Sequence, residues 1–134
     1  MSEDIILELK EEHKEIVSFF NKIDTAKPLE EKKKFVQDLK EFLSQHMRKE
    51  DTLIYPVLLQ SEDKEVRALG QGFLKSMVSY SEIFLGITKR VMESSGPIGL
   101  EAVKDYENIR DRIKDRIFVE EMALFPAYER ESKK

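Results

Sequence analysis

The chain has 134 residues, enough for one domain with a real core. Charged residues make up 37 % and hydrophobic ones 40 %, a balance that suits amphipathic helices rather than disorder. A net charge of -4 gives no electrostatic footprint for nucleic acid, the lack of cysteine removes disulfides and thiolate chemistry, and no apolar run approaches the roughly 20 residues that span a bilayer.

The opening Met1-Ser2-Glu3-Asp4 has neither the basic nor the apolar part of a signal peptide, so the expected compartment is the cytoplasm. A first helix is expected over about residues 4–24, with Ser2 as its N-cap and an apolar stripe of Ile6, Leu9, His13, Ile16, Phe20 and Ile23. A second, over about 28–55, begins at Pro28, a favoured first-turn residue, and is kinked or ended at Tyr55-Pro56. Its stripe is Phe35, Leu39, Phe42, His46, Glu50 and Leu53. The third helix is expected over 63–93, where Ser94-Ser95-Gly96-Pro97 stops it, with Val66, Leu69, Phe73, Met77, Tyr80, Phe84, Ile87 and Val91 inward. The fourth, over 99–130 and disturbed at Pro126, presents Val103, Tyr106, Ile109, Ile113, Arg116, Glu120 and Leu124. Met47, Met77 and Met122 read as ordinary core fillers.

No alternating strand pattern interrupts this sequence. The expected fold is all-α, a single up-down-up-down four-helix bundle over 1–134, with each stripe facing its core. Each stripe also holds polar residues near mid-bundle. His13 and His46 mirror about a point just past Pro28, and Tyr80 and Arg116 mirror about Ile98, so antiparallel helices bring them to one level. With Glu50 and Glu120, six polar side chains converge on one layer. Unpaired buried charges there would cost several kcal/mol even after relaxation. They must therefore neutralise one another or share a cation.

His46 and Glu50 are spaced i, i+4, so an imidazole and a carboxylate project from one helix face and can grip a single metal ion. The run Glu50-Asp51-Thr52-Leu53-Ile54-Tyr55-Pro56 echoes Glu120-Glu121-Met122-Ala123-Leu124-Phe125-Pro126, and His13-Lys14-Glu15-Ile16 more weakly echoes Tyr80-Ser81-Glu82-Ile83. With the early histidine and the helix pattern, these residues resemble the hemerythrin-like, HHE cation-binding family over nearly the whole chain. The resemblance implies a non-haem di-iron centre with histidines from all four helices and carboxylates from the second and fourth. His13, His46, Glu50 and Glu120 match that pattern, but Tyr80 and Arg116 stand in the histidine positions of the second half. A guanidinium cannot be a ligand, and its fixed charge opposes a neighbouring cation.

The leading expectation is a degenerate hemerythrin-like metal-binding protein with metal ligands His13, His46, Glu50 and Glu120. Iron is the expected cofactor, mononuclear rather than di-iron, because two histidines and a carboxylate suit a ferrous site with open positions. The resemblance implies binding or sensing of dioxygen or nitric oxide, or iron handling, and no nucleic-acid or membrane partner is expected. The alternative is a metal-free interaction module in which Arg116 pairs with Glu50 and Glu120. For Tyr80, a hydrogen bond to a carboxylate is expected ahead of ligation. Enzyme readings fare worse. A ferritin-like site needs Glu-x-x-His, whereas Lys10 and Leu43 stand three before His13 and His46, and no serine sits beside a recognisable base.

Overall fold

The computed structural model describes residues 2–134, the side chains of Ser2 and Glu3 excepted. The expected cap from the Ser2 hydroxyl lies outside these described residues. Six α-helices follow in chain order: α1 Ser2–Thr25, α2 Leu29–Lys49, α3 Tyr55–Leu59, α4 Lys64–Glu93, α5 Leu100–Val119 and α6 Phe125–Ser132. A π-helical turn, Glu50–Ile54, joins α2 to α3, and another, Glu120–Leu124, joins α5 to α6. The result is four continuous rods. No strand occurs among the described residues.

The connections have local causes. Pro28 precedes α2 with φ −67° and ψ 139°, and its ring keeps Lys27 out of the helical region. Asp63 caps α4 by accepting a hydrogen bond from the Glu65 backbone N–H at 2.9 Å. Short links make successive rods antiparallel neighbours, so α1 packs on α2, α2 on α4, α4 on α5 and α5 on α1. This is an all-α bundle.

The second rod does not end at Tyr55-Pro56. A proline lacks its N–H, and its ring collides with the carbonyl four residues back. The chain avoids both problems by widening one turn, so that the Tyr55 N–H bonds the Glu50 carbonyl five residues back. The Phe125 N–H bonds Glu120 in the same way ahead of Pro126. An extra residue in a turn rotates everything after it. Leu53, expected in the stripe, is 46 % exposed, while Ile54 and Leu58 are fully buried. Met122 is 66 % exposed and no core filler, because the register that turns Glu120 and Leu124 inward puts it on the opposite face.

Two apolar clusters fill the bundle. Ile6, Leu9, Ile54, Tyr55, Leu58, Leu124, Phe125 and Tyr128 form one near the π turns. Ile16, Phe20, Leu39, Leu43, Phe84, Ile87, Ile109 and Ile113 form the other, towards the α1–α2 link. Burying each large side chain contributes about 1.5–3 kcal/mol. Between the clusters lies a polar layer, from which His13, His46, Glu50 and Glu120 are almost wholly excluded from solvent.

Candidate metal centre

Each rod except α4 delivers a carboxylate or imidazole to this layer. His13 comes from α1 and His46 from the last turn of α2, while Glu50 and Glu120 each open a π turn. The wide turn follows each glutamate directly, so the glutamate keeps the face set by the preceding α-helix. One ligand atom from each of the four residues lies within 4.8 Å of the others. The two imidazole centroids are 4.9 Å apart, and Phe125 stacks on His13 at 5.5 Å.

Both imidazoles are held from behind by a carboxylate. Nδ1 of His13 donates to Glu121 Oε2 at 2.7 Å, and Nδ1 of His46 donates to Glu12 Oε1 at 2.8 Å. Glu12 is itself paired with Lys49, which also reaches Glu8 at 3.2 Å. This leaves both Nε2 atoms facing the centre, His13 towards Glu120 Oε1 at 2.9 Å and His46 towards Glu50 Oε1 at 3.8 Å. A carboxylate behind an imidazole fixes its tautomer and ring orientation and raises its basicity as a ligand.

Arg116 fills the other side. Its Nε donates to Glu120 Oε2 at 2.8 Å, Nη1 to Ser76 Oγ at 2.7 Å and Nη2 to the Tyr55 hydroxyl at 2.6 Å. The guanidinium lies over Phe73 and Tyr80, 5.2 and 6.0 Å from the ring centroids. Of the two carboxylate pairs expected for Arg116, only that with Glu120 forms; Glu50 has no salt bridge to it. The obstacle is geometric. Glu50 belongs to the other rod, and the remaining nitrogens are bound to Ser76 and Tyr55. Tyr80 lacks the expected hydrogen bond to a carboxylate, and its ring serves as a face for the guanidinium instead.

The two carboxyl groups respond oppositely to burial. Burial, and then the Glu120 charge, push the Glu50 carboxyl well above its ordinary value. Burial pushes Glu120 the same way, but hydrogen bonds from His13 and Glu50 and the charge of Arg116 outweigh it and bring it to about 2. For His13, hydrogen bonds and charge from Glu120 and Glu121 overcome burial and raise the imidazole. For His46, burial and the neighbouring His13 charge lower it. One Glu50 oxygen, Oε2, is buried with no hydrogen-bond partner. An orphaned acceptor among two inward imidazole nitrogens and a second carboxylate is a donor set that fits a divalent cation.

The six polar residues expected in one layer all line a single cavity of about 30 Å³. Sequence reasoning missed Glu12, Glu121, Ser76 and the Tyr55 hydroxyl. Glu12 and Glu121 had a signal, each being adjacent to a ligand candidate, His13 and Glu120. A larger cleft of about 440 Å³ lies at the opposite end, beside Asp24, Tyr106 and Arg110. There Tyr106 and Arg110 are both bound to Asp24, at 2.8 and 3.3 Å, so its polar groups converge on one another. The donor groups that could hold a metal ion line the smaller cavity.

An antiparallel four-helix bundle with a buried His/Glu cluster places the chain among helical bundles with a candidate cation site. The hemerythrin HHE cation binding domain matches residues 4–128, and the chain belongs to that family. No curated protein and no solved structure matches the chain.

Proposed function

We propose that the chain binds one non-haem iron ion through His13, His46, Glu50 and Glu120, and uses it to bind or sense dioxygen or nitric oxide or to hold iron. The observation that carries this reading is the convergence of four buried donor groups within 4.8 Å. The donors suit iron, zinc and manganese alike, and iron is chosen among them because the family resemblance implies a non-haem iron centre. When bound, the ion supplies Lewis acidity, redox capacity and an open position for a small ligand. The protein's own residues do the rest. Glu121 and Glu12 aim the imidazoles, the apolar clusters exclude bulk water, and the cavity of about 30 Å³ admits a diatomic rather than an organic substrate.

A single ion is favoured over two because Arg116 stands as a permanent cation against Glu120. We take the chain as one domain, since the family match covers residues 4–128 and both apolar clusters draw on every rod. No helix of the described residues is long and apolar enough to cross a membrane. Anaerobic titration with ferrous iron tests the function. Saturation at one ion per chain, abolished by His46→Ala, supports it, and absence of binding ends it. The Arg116–Glu120 pair favours one second reading, a metal-free interaction module, which the same titration would then leave standing.

A further inference from the structure

The bundle has four seams at the level of the centre, and they are not closed alike. The α1–α2 seam is tied by Glu12 to His46 at 2.8 Å and by Lys49 to Glu8 at 3.2 Å. The seam between α1 and the second π turn is tied by His13 to Glu121 and Glu120, at 2.7 and 2.9 Å. The α4–α5 seam is tied by Arg116 to Ser76 at 2.7 Å. All three are hydrogen bonds from cationic donors or imidazoles, the stronger kind.

At this level, among the described residues, the α2–α4 seam has only Ser81 Oγ donating to the Met47 thioether sulfur at 3.2 Å. Sulfur is a weak acceptor, and a methionine side chain swings about three rotatable bonds. Met47 and Ser81 both line the cavity, and both are only half-buried. Met47 also packs against both apolar clusters, so it bridges the polar layer on its outer side. Moving it aside breaks one weak bond and no ion pair.

We propose that the α2–α4 seam is the access route to the centre and that Met47 is its gate, setting the rate at which small solutes reach His13 and His46. The nature of the normal traffic, a metal ion or a small neutral ligand, rests on the function proposed above; the route itself does not. A methionine gate passes small species by rotating and holds back bulkier ones, which makes Met47 a specificity-determining residue.

The chain has only two histidines, both in this cavity, and diethyl pyrocarbonate is too large for the closed cavity, so carbethoxylation followed at the imidazole absorbance reports how often the seam opens, without any metal. Met47→Ala should speed modification roughly tenfold, since the rate follows the open population, and Met47→Phe should slow it. Val36→Ala, a cavity in the distant apolar cluster, controls for lost stability and should leave the rate unchanged. Equal rates in wild type and Met47→Ala, or equal acceleration by Val36→Ala, overturn the proposal. Ferrous iron uptake and its removal by excess chelator form the second arm. A gate raises both rates by one factor and leaves affinity unchanged, whereas a faster loss alone means a packing role and overturns it. Wild-type protein that takes up no metal but shows the Met47 dependence of carbethoxylation sinks the metal reading and leaves the route.

Discussion

Arg116 and Glu120, one helical turn apart, meet through Nε and Oε2 at 2.8 Å with both side chains largely withdrawn from water. The same carboxylate offers Oε1 to His13 at 2.9 Å. Glu120 therefore stands between a fixed cation and the centre. Arg116→Met should destabilise the metal-free protein by about 3 kcal/mol, the cost of leaving one member of a buried pair uncompensated. Joining Arg116→His to Tyr80→His replaces the fixed charge and its aromatic face by two imidazoles. Metal analysis of that double variant should then give more ions per chain than wild type. An unchanged count would show that something other than Arg116 limits the stoichiometry.

The outer carboxylates Glu12 and Glu121 touch no other part of the proposed ligand set than the imidazole Nδ1 atoms. Glu12→Gln and Glu121→Gln should each lower metal affinity roughly 10–100-fold, as removing an orienting partner does elsewhere. Competition against a chelator measures this. Affinity within twofold of wild type for both variants would mean that packing alone orients the rings.

The pH dependence follows from opposite shifts. Glu120, held at about 2 against an ordinary 4.5, contributes stability that is present above 4.5 and lost as pH falls towards 2. Glu50 and His13 are both raised, so their contributions are full below 4.5 and 6.5 and are lost as pH climbs through the folded values. His46 is lowered and runs the other way, its contribution being present above 6.5 and lost as pH falls through its folded value. A bound cation takes the place of the protons on Glu50 and His13, so loading should release protons and tighten as pH rises. The rise in melting temperature on adding ferrous iron should grow between about pH 6 and about pH 8. A rise independent of pH would rule out this exchange.

Three glycines in α4 should respond with different signs. A Cβ on Gly70 would sit 2.9 Å from Leu58 Cβ, where α4 crosses α3, so Gly70→Ala should cost about 1–3 kcal/mol by overpacking. Gly72 and Gly86 have open space at that position. Gly72→Ala and Gly86→Ala should each stabilise by about 0.5–1 kcal/mol through reduced backbone entropy. Urea unfolding of the three variants would check the contrast, and a stabilising Gly70→Ala would show that the crossing is looser than its geometry.

The sequence by itself determined the four rods and the meeting of His13, His46, Glu50, Tyr80, Arg116 and Glu120 in one layer. Helical period and mirror-image register are local arithmetic, and short links leave antiparallel packing as the simple solution. Its arithmetic failed where the period changed. The prolines at 56 and 126 pointed to a disturbance, but whether the chain would break, kink or widen into a π turn depended on whether the bundle could still bury Ile54, Tyr55, Leu124 and Phe125. That exchange turned Leu53 outward. Only the tertiary structure decided which carboxylate backs which imidazole and that Arg116 spends its nitrogens on Glu120, Ser76 and Tyr55 rather than on Glu50. Such pairings join residues from different rods, and their partners are fixed by rotation and spacing across the bundle, which no single helix encodes.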